Sequence, residues 1–171
     1  YERPARTSHA SMTTPLQSRR VFVTGATGYL GVRLIPRLLA RGHHVTALTR
    51  QASAGAVPSG GEVVVGNPLE SGTFVEQVRG ADTLVQLVGV PKPVPWKGQQ
   101  FRAVDGPSAM AAIRAAREAG VRHMVYVSVA HPAPVMRDYI AVRSECEAAI
   151  TAARLVATIF RPWYILGPGH W

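Results

Sequence analysis

From Arg19 onward, short β-branched apolar runs alternate with longer stretches whose apolar residues recur at helical spacing. A parallel sheet with crossover helices produces that alternation. Val21 to Thr24 predicts a buried strand. It is followed by a glycine-rich turn, Gly25 to Gly31, and a helix carrying Leu30, Leu34, Ile35, Leu38 and Leu39 on one face, with Gly42 as its stop. Pro36 inside that helix lacks an amide donor and predicts a bend. His44 to Leu48 and Glu62 to Val65 predict the second and third strands, separated by a Gly/Ser/Ala-rich loop. A short helix around Thr73 to Val78 then leads to a fourth strand, Thr83 to Val88. In GVPKPVPWKG the prolines at 91, 93 and 95 forbid helix or central strand and predict a loop that could serve as a lid. A helix over Ser108 to Ala119, a strand His123 to Ser128, a helix Tyr139 to Ala153 and a strand Ala157 to Phe160 complete the pattern. The expected fold class is α/β, a doubly wound parallel sheet in three layers, α/β/α.

Residues 1 to 18 are polar, rich in Ser, Thr and Pro, and aperiodic, so they are expected to form a disordered tail. The chain begins at Tyr1, and Met12 stands just before the first strand, so either a start at Met12 or, from the Arg-rich, acid-poor composition, a targeting segment is open. Residues 19 to 171 read as one domain, because 171 residues bury one substantial core and not two.

Composition narrows the function classes. The net charge is +9, and 17 of the 19 cations are arginine. They are scattered without interleaved aromatics, which argues for solvated faces and against nucleic acid as partner. Cys146 is the single cysteine, and no zinc-spaced His/Cys cluster exists, so no metal is expected and a reducing cytoplasm fits best. No apolar run reaches the roughly 18 residues of a membrane span, so no membrane partner is expected.

The run VFVTGATGYLG places glycines at 25, 28 and 31 between a strand and a helix. In that setting Gly25 makes the tight turn, Gly28 admits a pyrophosphate to the backbone and Gly31 allows close helix-to-strand packing. The helix start offers unpaired amides to the phosphates. The candidate phosphate site is Gly25, Thr27, Gly28, Tyr29, Leu30 and Gly31. A carboxylate that would grip a ribose 2′-hydroxyl is missing after the second strand, where Leu48, Thr49 and Arg50 stand. Arg50 would meet a 2′-phosphate, so NADP(H) is expected over NAD(H).

The GxxGxxG spacing of TGATGYLG, together with GHHVTALTR, AGVRHMVYVS and RPWYILGPG in the same order, resembles the atypical and extended short-chain dehydrogenases/reductases. The resemblance runs from about Arg19 to Trp171 and implies a Rossmann-like fold. It implies that GNPLE, with Asn67, Pro68 and Leu69, stands where the family places an adenine-contacting Asp. It further implies that Val88 and Gly89 run along the cofactor and that Arg161 and Pro162 pass near the nicotinamide. Redox members pair a Ser after the fifth strand with Tyr-x-x-x-Lys. Here Ser128, Tyr139 and Arg143 occupy those places, with Arg143 a departure from lysine. A phenol titrates near pH 10, and Arg143, one turn from Tyr139, would supply part of the lowering that chemistry near neutrality needs.

Two functions stand. One is an NADP(H)-dependent oxidoreductase or epimerase acting on a carbonyl or hydroxyl of a small molecule; the other is a noncatalytic NADP(H)-sensing or assembly protein. The family recognises substrate mostly after the sixth strand, so the chain is expected to lack most of that part. Its exposed sheet edge calls for cover by another chain, as in a homodimer, or by more sequence, with modest stability or self-association expected. His131 and His170 read as loop residues. Cys146, between Glu145 and Glu147, does not read as a nucleophile.

Overall fold

The computed structural model describes residues 17–132 and 135–169. The tail expectation for residues 1 to 16, the Met12 question and His170 lie outside them.

Six parallel strands form one sheet: β1 (Arg20–Thr24), β2 (His44–Thr49), β3 (Glu62–Val65), β4 (Thr83–Gln86), β5 (His123–Val127) and β6 (Ala157–Phe160). Their order is β3-β2-β1-β4-β5-β6. The chain winds outward in one direction from β1 and, after β3, returns to the other side of β1, so the order reverses between β1 and β4. Ligands of doubly wound sheets bind at that reversal, beyond the carboxyl ends of the strands. Register is continuous across it, with Val23 opposite Ala47 on one side and Val85 on the other.

The two faces are covered unequally. Phe22, Leu84, Met124 and Tyr126 point to a face sealed by α2 (Val75–Val78), α4 (Gly106–Glu118) and α5 (Arg137–Ala152). Phe22 stacks on Phe74 there, ring centroids 5.9 Å apart. Val21, Val23, Val45 and Ala47 point to the opposite face under α1 (Gly31–Ala40), whose Ile35 is fully buried. Beyond α1 that face opens into a groove of about 990 Å³ over Val85, Val125 and Val127, bounded by Phe160 and by Ile165 to Pro168. Parallel sheets ordinarily bury both faces. Among the described residues no helix covers this part.

Several expected boundaries shift for local reasons. The expected β4 continued to Val88, but pairing ends at Gln86; the Leu87 amide still donates to the Thr24 carbonyl, and the chain then leaves the sheet. The helix expected to start at Ser108 is preceded by a one-turn α3 (Gly98–Gln100) and a π-helical turn (Phe101–Asp105) that run into α4 without a break. The loop after β4 contains a 3-10 turn, Pro95–Lys97, and the Gly/Ser/Ala-rich loop after β2 winds into another, Gln51–Ala56. α1 includes Pro36, which is exposed, and it stops before Gly42, whose φ is +77°.

Candidate nucleotide and catalytic site

The glycine-rich turn is built by close approach. Gly25 has φ +72°, and a Cβ there would lie 2.7 Å from the Leu87 carbonyl carbon, so the turn rests on the exit of β4. A Cβ on Gly31 would strike the carbonyl oxygens of Gly25 and Ala26. The Gly28 amide donates to the Gly25 carbonyl at 3.1 Å, closing the turn. Among the described residues the amides of Thr27 and Leu30 make no hydrogen bond, which leaves donors at the start of α1 for an anion. Arg33 was not anticipated. Its guanidinium lies 3.7 Å over the Tyr29 ring and donates to the carbonyls of Tyr29 (3.0 Å) and Pro168 (2.7 Å), tying the chain after β6 to the turn.

Arg50 follows β2 with an exposed guanidinium that has no ion pair or hydrogen bond among the described residues. Asn67 sits at the corresponding exit of β3, but its side chain is engaged locally. Its amide oxygen accepts from the Leu69 amide (3.1 Å) and its amide nitrogen donates to Glu70 (2.7 Å), a turn that fixes Pro68 and Leu69. One lone pair of that oxygen is left for a ligand. Val88 and Gly89 follow the exit of β4 and are half-buried.

The second cluster gathers at the ends of β4, β5 and β6. The Ser128 amide donates to the Phe160 carbonyl at 2.7 Å, extending the β5–β6 ladder by one residue, while its hydroxyl is buried without a hydrogen bond of ordinary geometry. Pro162 is placed beside it, because its carbonyl accepts from the Ala130 amide at 3.0 Å. Tyr139, in the first turn of α5, packs on Phe101 with centroids 4.8 Å apart. Arg143, one turn on, has its guanidinium carbon 5.0 Å from the Tyr139 ring centroid, as the helical spacing requires.

Arg143 is turned inward. Only 6% exposed, it pairs with Asp105 at 2.5 Å and donates to the Val127 carbonyl at 2.9 Å and the Tyr126 hydroxyl at 3.3 Å. Asp105 is fully buried, and its other oxygen accepts from the Val90 amide at 3.0 Å. Burial would weaken the guanidinium's hold on its proton, but Tyr126, Tyr139 and Asp105 more than offset this and fix the charge. The expected lowering of the Tyr139 phenol does not occur. Burial pushes it above its ordinary range and outweighs the pull of Arg143, and Asp105 adds to the rise.

Sequence reasoning missed Asp105 and what joins it to the turn. Thr24 donates to Gln86, Gln86 to Ser108 (3.0 Å), and Ser108 to the Asp105 carbonyl (3.1 Å). A buried polar chain thus runs from the last residue of β1 to Arg143 on α5. Gly89 completes it, since a Cβ there would lie 2.6 Å from the Arg143 Nη2.

His131 is exposed. Cys146 is buried under Tyr126, and burial pushes its thiol up, with Glu145 only a minor contributor. Among the described residues no group of three or more His, Cys, Asp or Glu could hold a metal, and no helix is long and apolar enough to cross a membrane.

Comparison with known proteins gives this geometry a relationship. A family model described as NAD(P)H-binding matches residues 25–170. A ceramide reductase of Caulobacter vibrioides is 33% identical over 158 residues, which are 87% of this chain and 47% of that protein. A Stigmatella aurantiaca ketoreductase of a farnesylated dihydroquinoline oxide is 29% identical, over 86% of this chain and 51% of that protein. The chain therefore spans about half the length of these curated relatives. Among solved structures, the Bordetella bronchiseptica enzyme WbmH in complex with NAD+ superimposes with a TM-score of 0.71 at 20% identity, over 89% of this chain and 60% of that one. The shared fold is the Rossmann-like three-layer sheet.

Proposed function

Because this chain belongs to the NAD(P)H-binding family of short-chain dehydrogenases/reductases, we propose that it is the cofactor-binding part of an NADP(H)-dependent oxidoreductase acting on a carbonyl or hydroxyl of a small molecule. The observation that carries this reading is the closed Gly25–Gly31 turn at the sheet's reversal point, with an unpaired guanidinium, Arg50, at the end of the neighbouring strand. The residues fit a dinucleotide. Gly25 and Gly31 keep side chains out of the cradle, Thr27 and Leu30 offer amides, and among the described residues Arg50 pairs with no carboxylate.

The nicotinamide, when bound, supplies the hydride to the carbonyl carbon or takes it from the alcohol. Tyr139 gives the carbonyl oxygen its proton, and burial keeps that proton on the phenol until it is needed. Ser128, whose buried hydroxyl lies beside the Glu147 carboxylate, orients the same oxygen. Arg143 is a fixed charge beneath Tyr139, and it locks the exits of β4 and β5 through Asp105 and the Val127 carbonyl. The names of the relatives, a reductase and a ketoreductase, favour this direction over epimerisation.

Arg50 supports NADP(H) as the cofactor. A guanidinium on the 2′-phosphate makes charge-assisted bonds worth about 2 kcal/mol, so Arg50→Ala is expected to weaken NADP(H) binding roughly 30-fold. NAD(H) binding should stay as it was. Equal affinity of the unmodified protein for the two nucleotides, measured by fluorescence titration, overturns the preference.

The sealed position of Arg143 favours a second reading, a noncatalytic NADP(H) sensor or assembly protein. Tight NADP(H) binding with no turnover of any carbonyl would select it. We place the protein in the cytoplasm, where its lone buried thiol stays reduced. The uncovered groove over β4 to β6 supports a homodimer, expected to show as concentration-dependent sedimentation and lost in Val125→Lys.

A further inference from the structure

Three adjacent strands deliver three loops to the mouth of the Ser128–Tyr139 site, and each presents a large apolar side chain to solvent. Trp96 on the loop after β4 is 81% exposed, Val135 before α5 is 69% and Trp163 after β6 is 65%. The backbone places their loops beside the reacting groups. The turn carrying Trp96 abuts α5: a Cβ on Gly98 would lie 2.5 Å from the Asp138 carboxylate, which immediately precedes Tyr139. Arg102 bonds the same Asp138 at 3.0 Å. Trp163 follows the Pro162 carbonyl that accepts the Ala130 amide, two residues beyond Ser128. Val135 stands one residue before Met136, the residue that leads into α5.

Four cations near these loops are committed elsewhere, while Lys92 and Arg137 are exposed without an ion pair among the described residues. Lys97 donates to the carbonyls of Pro91 (2.8 Å) and Lys92 (3.1 Å), which folds its loop back and leaves Trp96 at the tip. Arg161 is forked onto Glu147 at 2.5–3.1 Å, Arg102 is on Asp138, and Arg143 is sealed on Asp105. A nucleoside diphosphate needs guanidinium or ammonium groups aimed at its phosphates. Beside Lys92 and Arg137, the large exposed side chains of this mouth are aromatic and aliphatic, and exposed apolar surface rimming a polar centre marks a ligand groove.

We propose that Trp96, Val135 and Trp163 form the entrance for an elongated, largely apolar carbonyl compound, as opposed to a nucleotide-linked sugar. The inference rests on the oxidoreductase reading above and extends it to the substrate's chemical class. The carbonyl end reaches Ser128 and Tyr139, and the hydrocarbon remainder lies across the two indoles.

The test uses the full-length protein saturated with NADP+ and a series of 2-alkanols from 2-hexanol to 2-tetradecanol, bound at equilibrium and read by tryptophan fluorescence. Burying one methylene is worth about 0.8 kcal/mol, so each added carbon is expected to tighten Kd by about fourfold until the rim is spanned. Trp96→Ala with Trp163→Ala should flatten that dependence, read by competition against a fluorescent long-chain probe, while NADP(H) affinity stays unchanged. Oxidation of the alcohols and reduction of the matching 2-alkanones are measured separately. Length-dependent binding without turnover supports the apolar entrance and overturns the oxidoreductase reading. Turnover of short alkanones with no length dependence, or tighter binding of UDP-glucose than of any alkanol, overturns the entrance.

Discussion

Arg143→Ala is expected to cost the fold about 3–5 kcal/mol, because it leaves the Asp105 carboxylate buried without its counter-charge. That is a large share of the 5–15 kcal/mol typical of a whole domain. Urea unfolding followed by fluorescence measures it. The deficit depends on pH. Burial already holds the Asp105 carboxyl above its ordinary range, with Arg143 pulling it back, so removing the guanidinium raises it further. A raised carboxyl stabilises the fold below its unfolded value and loses that contribution as pH rises through the folded one. The variant should therefore lie closest to the parent near pH 4 and fall furthest behind above the variant's raised value. Arg143→Met with Asp105→Asn separates the charge from the packing. The asparagine oxygen still accepts the Val90 amide and no buried charge is orphaned, so most of the loss should be recovered. If the double variant is no more stable than Arg143→Ala, the ion pair is not what holds α5 to the π-helical turn.

That pair also marks where the sequence stopped being legible. The strands could be read because each is a short β-branched run, and β3 and β6 have the bounds their runs predict even though Val63, Val65 and Phe160 are exposed. The glycine-rich turn was legible because Gly25 and Gly31 are demanded by contacts within a few residues or at a neighbouring strand's exit. Asp105 offered no such signal. It lies in FRAVDG, which follows a proline-rich loop, and its partner is 38 residues away on another helix. The π-helical turn is what brings it inward beneath Gly89, and intrinsic propensity does not announce π turns. The same distance in sequence hid the Arg33 bond to the Pro168 carbonyl. Local spacing put Arg143 on the face of Tyr139, which is correct. It carried no information about burial, and burial reverses the direction in which the phenol moves.

That reversal shapes the second large effect. Tyr139→Phe is expected to lower kcat for carbonyl reduction by about 10²–10⁴, the usual worth of a positioned proton donor. The variant keeps the ring against Phe101 and the guanidinium, so folding and NADP(H) affinity should stay near the parent's. A phenol raised by burial is fully protonated across neutral pH, which suits donation and opposes abstraction. Reduction should accordingly keep a flat kcat between about pH 6 and 9, below the ordinary phenol range near 10, while alcohol oxidation rises with pH throughout. A bell centred near neutrality in the reductive direction would mean that another group is titrating, and Tyr139 would not be the donor. If Tyr139→Phe retains the parent's kcat, the proton has another source and the reading of Tyr139 falls. If the unmodified protein binds NADP(H) tightly yet turns over no carbonyl, the arginine where redox members carry lysine has become a structural charge. The buried chain from Thr24 to Arg143 would then couple nucleotide occupancy at the turn to the position of α5.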